Sequence, residues 1–128
     1  MKPIALAHGL LLFCALMLAA TPLSAEEPAA PPAQLYLVTF SLGPAWVADK
    51  PPAEQPSFRE HGQNLKRLRE AGRIAFGARY ADKGMIVLKA ASEEEARKEI
   101  TADPGVTAGI FTFELHLLMP FYEGCIGE

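Results

Sequence analysis

From Gln34 to Met119 the hydrophobic period changes in a fixed order: strand, helix, strand, strand, helix, strand. Few folds accommodate that order. Gln34–Ser41 (QLYLVTFS) is rich in aromatic and β-branched residues, as strands are. It is apolar on both sides, with Leu35 and Leu37 on one and Tyr36, Val38 and Phe40 on the other, which suits a central strand. Phe58–Gly72 (FREHGQNLKRLREAG) sets Phe58, His61, Leu65 and Leu68 on one stripe of a helix over about 57–71. Lys66, Arg67, Arg69 and Glu70 fall toward water, and Gly72 suits the helix stop.

Arg73–Tyr80 and Met85–Ala90 read as a hairpin turning at Ala81-Asp82-Lys83-Gly84. Strict alternation would put Ile74, Phe76, Ala78 and Tyr80 on one face and Arg73, Ala75, Gly77 and Arg79 on the other. Ser92 and Glu95 form a capping box for a second helix, with Ala96 and Ile100 inward. Asp103-Pro104 ends that helix, because a residue before proline is pushed out of the helical region. Ile110–Met119 is the last strand, with Phe111, Phe113, Leu115, Leu117 and Met119 as its apolar face.

The order β-α-β-β-α-β is the ferredoxin-like, α+β arrangement: a four-stranded antiparallel sheet with two helices on one face. The opposite face stays uncovered in a monomer. Apolar residues of the first and last strands are expected on it, which predicts a homodimer packed sheet to sheet. A chain of 128 residues also gains stability from such packing.

Met1–Ala25 reads as a secretory signal: Lys2 near the start, an apolar run over Leu10–Ala20, and a small residue at Ala25 before the break. The apolar run is too short for a membrane span. The expected layout is signal 1–25, a Pro/Ala-rich linker 26–33, a domain over 34–122 and a tail 123–128, with the mature protein periplasmic or secreted and free of the membrane. Cys125 alone survives cleavage, so no internal disulfide supports the fold. The net charge is −3 and becomes more negative with the loss of Lys2, which argues against nucleic acid as a partner.

His61 is the residue out of place, a histidine on an apolar helix face. It is either a satisfied core histidine or a general base, and Asp103 is a candidate to hold one of its ring nitrogens. Trp46, in a proline-rich loop over 42–56, either covers a pocket or pins the loop. Arg73 and Arg79 flank Ala75 and Gly77, which suggests a pocket floor with an anion clamp, or a solvated edge. No HxxxH, HxH or CxxC pairing exists for a metal, and no glycine-rich phosphate loop or dinucleotide fingerprint for a cofactor; none of either is expected. Ser57 reads as a helix cap.

A resemblance runs through Tyr36-Leu37-Val38, Gly43-Pro44-Ala45-Trp46, Arg59-Glu60-His61 with Leu65 and Leu68, and Glu70-Ala71-Gly72-Arg73-Ile74. It continues through Gly77, Ser92–Ala96, Asp103-Pro104-Gly105-Val106-Thr107-Ala108-Gly109 and Met119-Pro120-Phe121. From Gln34 to about Tyr122 the chain resembles a YCII-related domain, a family similar to the dimeric α+β barrel proteins. The resemblance implies that fold, a homodimer, and His61 with Asp103 as the active-site pair. Gly77, Arg79 and Trp46 become candidates for substrate contact. Some relatives carry out lyase or dehydrochlorinase-type chemistry on small ring compounds. The chain departs from the family pattern at Gly77-Ala78, where Gly-Pro is common, and at Gly105, where a large aromatic follows Asp-Pro. These departures imply a wider, looser pocket. The readings open at this point are a small enzyme with a His/Asp base, a non-catalytic small-ligand-binding module, and a structural dimerisation domain.

Overall fold

The computed structural model describes residues 29, 31–122 and 124. The signal, much of the linker and Cys125 lie outside the described residues. The strands are β1 (Gln34–Leu42), β2 (Ile74–Tyr80), β3 (Lys83–Ala90) and β4 (Phe111–Leu117). The helices are α1 (Phe58–Glu70), α2 (Glu93–Thr101) and the short α3 (Pro104–Thr107). The sheet order is β2-β3-β1-β4, antiparallel throughout, which is the ferredoxin-like topology. β1 is central, as its two apolar faces require.

One face of the sheet is the core. Tyr36, Val38 and Phe40 of β1 sit beside Ile86 and Leu88 of β3 and Leu115 of β4. Leu68 of α1 and Ala96 and Ile100 of α2 close over them. The Glu95 amide donates to Ser92 Oγ at 3.1 Å, capping α2. The Glu95 carboxylate does not return to Ser92; it accepts from the Ala91 amide at 2.9 Å and from Arg73 at 2.8 Å. Among the described residues no helix is long and apolar enough to cross a membrane.

Three further expectations need correction. The β2–β3 turn is Ala81–Asp82 alone, with Ala81 at φ 48°, and Gly84 belongs to β3. A β-bulge lies between Ile74 and Phe76, so two residues of β2 pass one step of β3. Strict alternation therefore fails. Ile74 pairs with Leu88 on the core side, but beyond the bulge Gly77 and Arg79 pair with Ile86 and Gly84 on that same side. Phe76 and Ala78 pair with Val87 and Met85 on the open side. The third correction concerns the open face. On β4 its residues are Thr112, Glu114 and His116, because Phe111, Phe113 and Leu115 turn to the helices. The open face is apolar through Leu35, Leu37, Phe76, Met85 and Val87 of the first three strands instead.

Candidate active site

Asp103 is 0% exposed, the most deeply placed charge in the described protein. Its backbone is extended (φ −62°, ψ 133°), as a residue before proline must be, and it caps α3. Oδ1 accepts from the Gly105 amide at 2.9 Å and the Val106 amide at 3.3 Å. The same oxygen meets His61 Nδ1 at 2.7 Å, and Oδ2 accepts from Asn64 Nδ2 at 2.8 Å. The expected His61–Asp103 contact therefore exists.

Burial pushes the Asp103 carboxyl up. The hydrogen bonds from His61 and Asn64, the His61 charge and the Val106 amide together outweigh burial, so its pKa lies below the ordinary 3.8. Asp103 is thus an acceptor at neutral pH, and the bond it makes requires the proton on His61 Nδ1. That leaves the lone pair of neutral His61 on Nε2.

Nε2 points to the other side of the ring. It makes no hydrogen bond among the described residues, and no buried side-chain nitrogen or oxygen there is left unpaired. Nε2 is therefore accessible, and His61 lines a cavity of about 420 Å³. Phe40, Trp46, Phe58 and Phe111 give the cavity wall an aromatic side around His61. Phe111 lies 4.7 Å from the His61 ring centre and Phe40 lies 5.2 Å from it. Trp46 stands over this wall, 5.9 Å from Phe111 and 6.3 Å from Phe58. Trp46 thus both covers the cavity and pins its loop.

That loop is held by a residue that carries no local signal in the sequence. Gln55 is 4% exposed, and its side chain bonds the Val47 amide at 3.0 Å, the Val47 carbonyl at 2.7 Å and the Lys50 carbonyl at 2.9 Å. The Gly43 and Ala45 amides donate to the Ile110 and Gly109 carbonyls at 2.8 and 3.0 Å, fixing the other end. Asn64 has no sequence signal of its own beyond lying three residues from His61 on one helix face. Its Oδ1 accepts from Arg67 at 2.8 Å, so its amide orientation is set from both ends.

Of the remaining candidates, Arg79 lines the cavity with Lys83 and Asp82 at its rim. Gly77 lies on the same side of the sheet but is not part of the cavity wall. Arg73 is not a partner of Arg79. It bonds the Lys89 carbonyl, Glu95 and Glu99, each at 2.8 Å, and ties β2 to α2. Ser57 holds the cap position at φ 59° but its hydroxyl makes no capping bond. Gly105 does not loosen the pocket. A Cβ there would lie 2.8 Å from the Phe111 ring and 3.1 Å from His61 Cβ, so Phe111 already presses into that space. Among the described residues no three metal-ligating side chains come together.

Gly62 also lines the cavity, in mid-helix, and a Cβ there would meet nothing within 4 Å. A glycine inside a helix costs about 0.5–1 kcal/mol relative to alanine. Gly62→Ala is expected to stabilise the protein by about that amount, read as a raised urea midpoint with an unchanged slope. Compared with known families and curated proteins, the chain matches no family model and no curated protein.

Proposed function

We propose that the protein is an exported, YCII-like enzyme that removes a proton from carbon in a small organic substrate, in a lyase- or isomerase-type reaction. The observation that carries this reading is the 2.7 Å His61–Asp103 bond combined with an accessible Nε2 on an apolar cavity. Neutral His61 accepts the proton at Nε2 while Asp103 holds Nδ1 and stabilises the imidazolium. The electron pair of the broken C–H bond either moves into conjugation with a neighbouring carbonyl or expels a leaving group from the next carbon. In an isomerisation the imidazolium returns the proton to another carbon; in an elimination it passes the proton to water. A cavity of about 420 Å³ is of the size that holds one small ligand.

The test is carried out in D₂O with the full chain and a panel of small cyclic carbonyl compounds, followed by proton NMR. The expected result is exchange or elimination at one carbon that His61→Gln abolishes. A compound that raises the thermal midpoint without exchange or consumption would replace this reading with a non-catalytic binding module. Neither effect with any compound would leave a structural dimerisation domain.

We further propose that the open sheet face carries a homodimer. Leu35, Leu37, Phe76, Met85 and Val87 make that face apolar, and Met119, Phe121 and Tyr122 beyond β4 are 76%, 89% and 86% exposed. Protein recovered from the periplasm or medium should begin at Glu26 and scatter light with the mass of a dimer at micromolar concentration. A monomeric mass would remove the dimer, and an intact Met1 would remove the cleaved signal.

A further inference from the structure

The β2 bulge places a guanidinium on the core side of the sheet, where the alternation of the strand would have placed an apolar residue. Phe40 of β1 pairs with Gly84 of β3, and Gly84 pairs with Arg79 of β2, so the three form one row across the sheet. At a strand spacing of about 4.8 Å the row from Phe40 to Arg79 is about 10 Å long. Its middle position has no side chain. A Cβ on Gly84 would find only Phe40 Cβ, at 4.0 Å. The row is therefore an open floor, with the Phe40 ring against His61 at one end and Arg79 at the other.

Charge at the far end is unbalanced. Arg59, Arg67, Arg73, Arg97 and Lys66 each have a carboxylate within ion-pair distance. Among the described residues Arg79 and Lys83, like Lys50, Arg69, Lys89 and Lys98, have none, but Arg79 and Lys83 stand together at the cavity, where they share the rim with the single carboxylate of Asp82. A locally positive rim in a chain of net charge −3 attracts anions to that mouth. A guanidinium binds a carboxylate through two parallel N–H donors, and the apolar floor beside it suits a hydrocarbon body.

We propose that the cavity takes a ring-sized organic acid, its carboxylate held by Arg79 and Lys83 and its apolar body lying across Gly84 toward His61. The proposal rests on the reading of His61 as the base and names the substrate class for that site. It also sets direction: the anion is held at the end away from His61, so the carbon that loses its proton belongs to the ring end of the molecule.

The probes are 3-phenylpropionate and its neutral twin 3-phenylpropanamide, titrated calorimetrically into the full chain. The acid is expected to bind at least about tenfold more tightly than the amide at low salt, with the margin shrinking as salt rises. Arg79→Gln should reduce the margin to less than about twofold while leaving amide affinity unchanged. Arg79 is exposed, so this variant should keep the wild-type thermal midpoint. Arg79→Lys should restore part of the margin. Gly84→Val should abolish binding of both probes by filling the floor. Equal affinity for acid and amide, a margin that survives Arg79→Gln, or no binding of either probe would overturn the proposal. Loss of the acid preference with His61-dependent proton exchange intact would remove the anion site alone. An intact preference with exchange indifferent to His61→Gln would remove the catalytic reading alone.

Discussion

Asp103→Ala is expected to lower the unfolding free energy by about 3 kcal/mol, a loss in the upper range for a single substitution. The carboxylate serves His61, Asn64 and the Gly105 and Val106 amides at once, and it is wholly buried. Its removal strands several buried donors at once. Asp103→Asn is a milder change of the same kind: its amide nitrogen would face the Asn64 amide nitrogen, or the donors on Oδ1. The pH dependence follows from the lowered pKa. With a folded value below the unfolded 3.8, the unfolded state binds the proton first as pH falls. The Asp103 contribution is complete above about pH 4 and disappears as pH drops through the folded value. Urea midpoints measured between about pH 2 and pH 7 should therefore fall more steeply in acid for the wild type than for Asp103→Asn. Parallel curves would show that Asp103 titrates alike in both states.

His61→Gln is expected to divide stability from chemistry in the opposite proportion. Asp103 keeps its bonds to Asn64, Gly105 and Val106 when the imidazole is gone. The variant should lose about 1 kcal/mol, the worth of one hydrogen bond. Turnover of any substrate found should fall by about 10²–10⁴, the contribution of a positioned general base. Substrate affinity should change little, because Trp46, Phe58 and Phe111 form the walls independently of Nε2. A variant as unstable as Asp103→Ala, with its turnover unchanged, would make His61 a core residue.

The element order was legible because it rests on local chemistry: period, proline and glycine. The Asp-Pro step placed Asp103 where α2 hands over to β4 and made it a candidate, but its contact with His61, 42 residues away, depends on the tertiary fold and not on spacing. What escaped depended on pairing between distant strands. Nothing local to Arg73–Tyr80 marks Ala75 as an extra residue, since both faces of that stretch contain small residues. Only the register with β3 decides that Arg79 faces the helices and Phe76 does not. Phe111 was assigned to the apolar face of its strand, but its place against His61 depends on Gly105 having no side chain. Asn64 and Gln55 escaped for a simpler reason. A polar residue at a helix shoulder or in a loop looks solvated until its partners are known: the Asn64 partner is a carboxylate 39 residues away, and the Gln55 partners are main-chain groups that only the folded loop brings to it.

The three bonds of Gln55 have a thermodynamic consequence. They order the Trp46 loop when the chain folds, before any ligand arrives. The conformational entropy of that loop then belongs to folding and not to association. A ligand entering the cavity would meet a preformed roof, without the ordering cost that a mobile cover would add to each encounter.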